Sequence, residues 1–244
     1  MTDTTAARTV LVTGSTSGIG AATARTLAAA GWRLVVTGRD ATRGDSVVDE
    51  IATAGGHAVF VASDLSAAPE DLRAFATSAI DAVVHNAALC PPVDTVSLSD
   101  ADLEATLAVN IRAPHVLTAA LAPAMAERGA GGIVVIGSWM AHVGHAFVGL
   151  YSATKAAEIQ LARSWAAKFG PRGVRVNTVS PGATRTPINA ADDDVIATMT
   201  SGTPAGRPGT PEEIAAAVTW VLSDAAAYLH GAELAVDGGI TATR

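Results

Sequence analysis

Cysteine is almost missing from this 244-residue chain, in which Cys90 stands alone. An internal disulfide and any site built from several thiolates are thereby excluded, and a reducing compartment is the simpler setting. Aromatic residues are scarce at 4%, which leaves small aliphatic side chains to fill the interior. Positive charge is short as well, with 16 Lys and Arg against 23 Asp and Glu and a formal net charge of -7. The basic residues are scattered, whereas a nucleic-acid partner needs a clustered basic face. No uninterrupted apolar stretch approaches the roughly 18 residues of a membrane-spanning helix. Met1 to Arg8 is polar and leads into a strand-like run without a signal-type apolar region. The expectation is a soluble, cytoplasmic protein with neither a nucleic-acid nor a membrane partner.

What is abundant is hydrophobic, at 49% of residues, mostly Ala, Val, Leu and Ile. Short β-branched runs alternate with Ala-rich, helix-compatible stretches, the pattern of successive βαβ units feeding a parallel sheet. Strands are expected at Thr9–Thr13, Arg33–Thr37, His57–Ser63, Ala82–His85, Gly132–Ser138, Val174–Val179 and Glu233–Val236. Helices are expected at Ile19–Ala30, Arg43–Thr53, Pro69–Ser78, Asp100–Ala126, Tyr151–Phe169 and Pro211–Ser223, with Ser99 as an N-cap and Pro211 in a first turn. Pro114 should kink or shorten the fourth of these. Nothing reads as a linker, so residues 1–244 are expected to form one α/β Rossmann-type domain, a doubly wound, seven-stranded parallel sheet flanked by helices. Thr186–Thr210 differs from the rest, with three prolines and three consecutive acids, and is expected to be a substrate lid.

Directly after the first strand comes Thr13-Gly14-Ser15-Thr16-Ser17-Gly18-Ile19-Gly20, followed by an Ala-rich helix. Strand, glycine turn and helix stand in the order a phosphate cradle requires. Gly14 permits a tight turn, Gly18 lets the backbone approach a pyrophosphate, and Gly20 lets the helix pack close to the strand. The helix N-terminus would offer free N–H groups and partial positive charge to the anion. The spacing Thr-Gly-x-x-x-Gly-x-Gly resembles that of the short-chain dehydrogenase/reductase family, and the resemblance runs to the terminal Val236-Asp237-Gly238-Gly239.

In dinucleotide folds a carboxylate at the end of the second strand holds the adenosine ribose and repels a 2′-phosphate. Here Val36-Thr37-Gly38-Arg39 has no acid at that point, and the Arg39 guanidinium suits a phosphate dianion. NADP(H) is therefore the expected cofactor, with NAD(H) the alternative. The resemblance adds Ser15 as a second phosphate contact, Ser17 and Ile19 as further contacts in the glycine turn, and Asp64 with Leu65 at the adenine. His85-Asn86-Ala87-Ala88 is similar to the family's Asn-Asn-Ala-Gly turn, departing from it at His85 and Ala88. Asn86 is expected to tie neighbouring strands together beside the cofactor ribose.

Tyr151 and Lys155 are four residues apart and so share one helix face. A phenol with an ordinary pKa near 10 is a poor base at neutral pH, but an adjacent ammonium favours the phenolate. Ser138 stands thirteen positions before Tyr151, and Asn110 lies further upstream. The family uses all four types in this order. By this resemblance Ser138 would polarise the substrate carbonyl, and Tyr151 would donate or accept the proton. Lys155 would bind the nicotinamide ribose and lower the Tyr151 pKa, while Asn110 would hold a relay water. Pro181, Gly182, Thr184 and Thr186 match the family's Pro-Gly-x-x-x-Thr segment around the nicotinamide carboxamide.

The implied activity is hydride transfer between NADP(H) and a small or medium, mainly apolar carbonyl or secondary alcohol, without a metal. The substrate is expected among Leu89, Cys90, Trp139, Met140, His142, His145, Phe147 and Leu150. A homotetramer is expected, with a dimer as the alternative. A nucleotide sensor without turnover would need only the cradle, and the retained Ser138, Tyr151 and Lys155 speak against it. A dehalogenating lyase of the same fold would carry Arg for Lys155 and lack the glycine turn.

Overall fold

The computed structural model of the chain describes residues 7–75, 80–187, 189 and 193–243. Seven strands, β1 (Thr9–Val12), β2 (Arg33–Gly38), β3 (His57–Ala62), β4 (Ala82–His85), β5 (Gly131–Ile136), β6 (Val174–Pro181) and β7 (Glu233–Val236), form one sheet. Their order is β3-β2-β1-β4-β5-β6-β7, and every neighbouring pair is parallel. The strands are those expected, with ends moved by two residues at most.

Alternation along the central strands sends side chains to two covered faces, which is why those strands read as near-continuous apolar runs, whereas the edge strand β3 leaves Val59 and Val61 exposed. Val10, Val12, Leu34, Val36, Val84 and Val134 pack against Leu27 of α1 (Gly18–Ala29) and Ile214, Val218 and Val221 of α8 (Pro211–Leu222). Leu11, Val83, Ile133, Val135 and Val176 face the other way. They meet Leu121 and Met125 of α5 (Ala113–Glu127) and Trp165 and Phe169 of α6 (Gly149–Phe169). The remaining helices are α2 (Ala41–Thr53), α3 (Pro69–Phe75), α4 (Asp100–Leu107) and α7 (Asp193–Ser201). None of the described helices is long and apolar enough to cross a membrane.

Two differences from the expected elements have local causes. The long helix expected over Asp100–Ala126 is interrupted by a π turn at Ala108–Arg112, where the Ala113 N–H reaches back to the Ala108 carbonyl. Pro114 stands just after this turn and has no N–H for the carbonyl of Asn110, four residues earlier, so regular α-helical bonding cannot run through. The segment Thr186–Thr210, for which no helix was expected, contains α7, which is held down by buried Ile196 and Thr200. Residues 188 and 190–192 of that segment, and the expected continuation of α3 to Ser78, lie outside the described residues.

Candidate active site

A parallel sheet brings the carboxyl ends of all its strands to one edge, and the order reverses between β1 and β4, where such sheets open a crevice. The glycine turn follows β1, Arg39 follows β2, Asp64 follows β3, Asn86 follows β4, Ser138 follows β5 and Thr184 follows β6. Residues up to 172 positions apart in sequence, from Gly14 to Thr186, are thus gathered along one edge.

The glycine turn has the geometry its sequence implies. Gly14 and Gly18 have φ of +64° and +51°, a region side chains disfavour. A Cβ on Gly20 would stand 2.3 Å from the Gly14 carbonyl oxygen and 2.5 Å from Asn86 Nδ2, so no larger residue fits. Asn86 Nδ2 donates to the carbonyls of Thr13 (2.9 Å) and Gly14 (3.1 Å), and the Thr13 hydroxyl accepts from the Asn86 and Ala87 N–H groups. Asn86 thereby locks the end of β4 to the turn. Ser17 is the exposed residue that opens α1, with no side-chain cap bond, and Ile19 packs against the core. Thr186 faces this turn, since a Cβ on Gly18 would come within 3.5 Å of its side chain. A bare-backbone turn at a helix N-terminus fits a dinucleotide pyrophosphate.

At the end of β2 the structure sorts the expected contacts. Ser15 is fully buried; its hydroxyl donates to the Val12 carbonyl at 2.7 Å and accepts from the Thr37 N–H at 2.8 Å. It braces β1 against β2, which corrects its expected place on a phosphate. The residue beside Gly38 is instead Thr16, whose Cγ2 would lie 2.6 Å from a Cβ there. The signal for Thr16 was its hydroxyl inside the glycine turn. Arg39 is exposed, and Asp40 next to it is committed to capping α2 and to Arg43 at 2.8 Å. Asp64 accepts from the Ser66 N–H and hydroxyl, which hold its carboxyl pKa below the ordinary value, with a smaller contribution from the Arg39 guanidinium. The Leu65 side chain is buried beside Val109 and Ala113, so only its backbone faces outward.

Ser138, Tyr151 and Lys155 converge. Ser138 leads into a 3-10 turn at Trp139–His142 and accepts from the Met140 N–H at 3.2 Å. It is two residues beyond the end of β5, not in the strand as expected. Tyr151 lies in the first turn of α6, near enough to Ser138 for that side chain to draw its pKa down. Lys155 Nζ stands 5.8 Å from the Tyr151 ring centre and donates to the Ile136 carbonyl at 2.8 Å. Lys155 acts on the Tyr151 pKa in the expected downward direction, but burial outweighs it. Burial raises it, Lys155 and Ser138 pull it down, Cys90 and Glu158 push it up, and the balance lies above the ordinary value.

Asn110 sits inside the π turn, fully buried. Its Oδ1 accepts from the Leu89 N–H at 2.8 Å, and its Nδ2 donates to the Leu89 carbonyl and to Thr154 Oγ1. Both amide protons are therefore used within the protein, and the side chain links the loop after β4 to α6. Besides Thr16, two residues placed at the site escaped the sequence reading. Glu158, one turn beyond Lys155, pairs with it at 2.8 Å; the i,i+3 spacing was the available signal. Asn189 accepts from the Thr186 N–H and hydroxyl and donates to the Thr184 carbonyl, shaping the loop after β6. In that loop Pro181 ends β6, Gly182 presses on the Asp237 backbone, and the Thr184 hydroxyl donates to the Gly182 carbonyl.

Of the residues expected around a substrate, Cys90 lies close enough to Tyr151 to act on it electrostatically. His145 stacks edge-on with Phe147, which is exposed, while Trp139 is buried. His142 turns to Glu233 of β7, 2.6 Å away. Among the described residues no group of three or more His, Cys, Asp or Glu could hold a metal ion.

Comparison with known proteins covers the same span. Residues 14–241 match the family model described as enoyl-(acyl carrier protein) reductase. The chain is 39% identical to cis-4-hydroxycyclohexanecarboxylate dehydrogenase of Sinomonas cyclohexanicum, with 97% of this chain and 98% of the relative covered. It is 37% identical to L-rhamnose 1-dehydrogenase (NAD(P)(+)) of Azotobacter vinelandii, with 96% of each covered. A solved structure described as a short chain dehydrogenase/reductase family protein superposes with a TM-score of 0.89 at 43% identity, over 97% of this chain and 98% of that one. With the glycine turn, the sheet order and these relatives in agreement, the chain belongs to the short-chain dehydrogenase/reductase family and is an NAD(P)-dependent oxidoreductase.

Proposed function

We propose that the protein interconverts a small or medium, mainly apolar secondary alcohol and its carbonyl compound, with NADP(H) as preferred cofactor and Tyr151 as general acid and base. The observation that supports this reading is the convergence of Ser138 and Tyr151 beside the buried Lys155 ammonium, 5.8 Å from the Tyr151 ring centre. The turn at Gly14, Gly18 and Gly20 would hold the pyrophosphate, Arg39 and Thr16 a 2′-phosphate, and Lys155 with Thr184 and Thr186 the nicotinamide half. NADP(H) bound there would supply hydride to a carbonyl carbon or take it from a carbinol carbon. Ser138 Oγ would hold the substrate oxygen, and Tyr151 Oη would give that oxygen a proton in reduction and take it back in oxidation. Leu89, Cys90, Met140, Phe147 and Leu150 offer an apolar surround, and the two relatives are named for a sugar and a cyclic alcohol.

A screen of carbonyls and alcohols with NADPH/NADP and NADH/NAD in parallel tests the reading. Tyr151→Phe should lose on the order of 10²–10⁴-fold in turnover while nucleotide binding by calorimetry is unchanged. Undiminished turnover in that variant, or no affinity for either dinucleotide, would overturn it. Arg39→Leu should raise the KM for NADPH on the order of tenfold, the scale of one charge-assisted phosphate contact, and leave that for NADH unaffected. An unchanged NADPH KM would remove the basis for the cofactor preference. We also propose a homotetramer, which light scattering would refute by returning a monomer mass.

A further inference from the structure

Glu158 is a buried carboxylate that the mechanism above does not use. It is 1% exposed, on α6, and its Oε2 stands 2.8 Å from Lys155 Nζ, whose side chain is 2% exposed. Lys155 also donates to the Ile136 carbonyl at 2.8 Å. An ion pair to the carboxylate and a hydrogen bond to the carbonyl thus hold the ammonium in place. Both carboxylate oxygens are buried without a hydrogen-bond partner among the described residues, so Glu158 meets the ammonium as an ion pair. A buried charge with so little support costs stability, and an apolar residue would pack against neighbouring Ile159 at less expense. Its place is explained by what it does to Lys155.

We propose that Glu158 is a positioning residue which fixes Lys155 Nζ and, by offsetting the ammonium's charge, sets the pH at which Tyr151 gives up its proton. The proposal rests on the reading of Tyr151 and Lys155 as the proton-handling pair. The sign follows from the charges. The Lys155 ammonium favours the phenolate, and a carboxylate beside that ammonium opposes it, so removing the carboxylate makes the first proton of the coupled Tyr151–Lys155 pair easier to lose. Of the other titratable groups around the pair, Cys90 can add charge, and as a thiolate it would act on Tyr151 in the same direction as Glu158. His85 of β4 is pushed by burial down to about 3 and stays neutral. The Cys90 thiol, in the loop after β4, is raised by burial, and Ser138 after β5 is uncharged.

The chain has two tyrosines, Tyr151 and the fully exposed Tyr228, so Tyr228→Phe leaves a single phenol to observe. Incorporating 3-fluorotyrosine into that variant places one fluorine on the ring of residue 151, whose NMR shift reports ionisation without turnover. Adding Glu158→Gln should lower the titration midpoint by about one unit, and the acid limb of kcat/KM for alcohol oxidation should move in the same direction. A midpoint unchanged in folded protein overturns the proposal. Should the Gln variant not fold, Glu158→Asp, which withdraws the charge from Nζ, should shift the midpoint downward by less, and no shift there overturns it equally. The underlying reading fails separately. A lowered midpoint with full turnover in Tyr151→Phe supports the charge coupling and refutes Tyr151 as acid and base; lost turnover with a fixed midpoint refutes only the role of Glu158.

Discussion

Lys155 has a structural burden that its distance from solvent makes heavy. Its pKa is lowered by burial, but the Glu158 carboxylate and Tyr151 outweigh that and hold it above the ordinary lysine value. Lys155→Ala would leave the Glu158 carboxylate buried without its partner, and breaking a buried pair in this way costs about 3–5 kcal/mol. Urea unfolding should show that loss, so a dead Lys155→Ala enzyme is no measure of catalysis without the stability measured beside it. Ser138→Ala removes one hydroxyl and no charge. It should lower kcat by on the order of 10²-fold, the scale of a single oxyanion-type donor, while urea midpoints move little. At this scale Tyr151 and Lys155 were legible because their spacing places them on one helix face, and Ser138 through its place in the family's residue order, although it stands two residues beyond β5. Ser15 was not legible, since only the approach of β1 to β2 decides whether its hydroxyl faces a ligand or the Thr37 backbone.

The elements that carry the site are held by local devices of unequal visibility. Thr210 and Glu213 form a capping box at the start of α8, and Glu213 also pairs with Arg207 at 3.0 Å. The Arg207 contact, with the Thr210 N–H, draws the Glu213 pKa from 4.5 down to about 2. A depressed carboxylate contributes stability above its unfolded pKa and loses it as pH falls toward the folded one. Thr210→Ala should therefore cost about 1 kcal/mol at neutral pH. The deficit of Glu213→Gln, followed by thermal unfolding, should shrink between pH 4.5 and about 2; a deficit constant with pH would rule out the ion-paired cap. The Thr-Pro-Glu-Glu sequence announces this cap. The π turn around Asn110 is announced only by Pro114, because whether a helix breaks, kinks or widens there depends on what Asn110 reaches, namely Leu89 and Thr154.

For the whole molecule, acid stability should centre on His85. The ring is 2% exposed, shares a hydrogen bond with Thr118 at 2.9 Å, and leaves Nδ1 buried without a partner among the described residues. Burial, helped by Lys155, draws its pKa from 6.5 to about 3. The unfolded chain then binds a proton that the folded one refuses, so stability is complete above 6.5 and falls as pH drops toward 3. His85→Asn should flatten the urea midpoint across that window, and an equally steep decline in the variant would place the acid-sensitive group elsewhere.

The sequence by itself determined the α/β alternation, the seven strands, the glycine turn and the Tyr151–Lys155 spacing, because strand and helix periods and glycine's conformational freedom are properties of a few neighbouring residues. Only the tertiary structure decided the strand order, the inward turn of Ser15, the pairing of Lys155 with Glu158 and the upward balance of the Tyr151 pKa. Those depend on burial and on charges brought together by packing, and neither can be read from spacing along the chain.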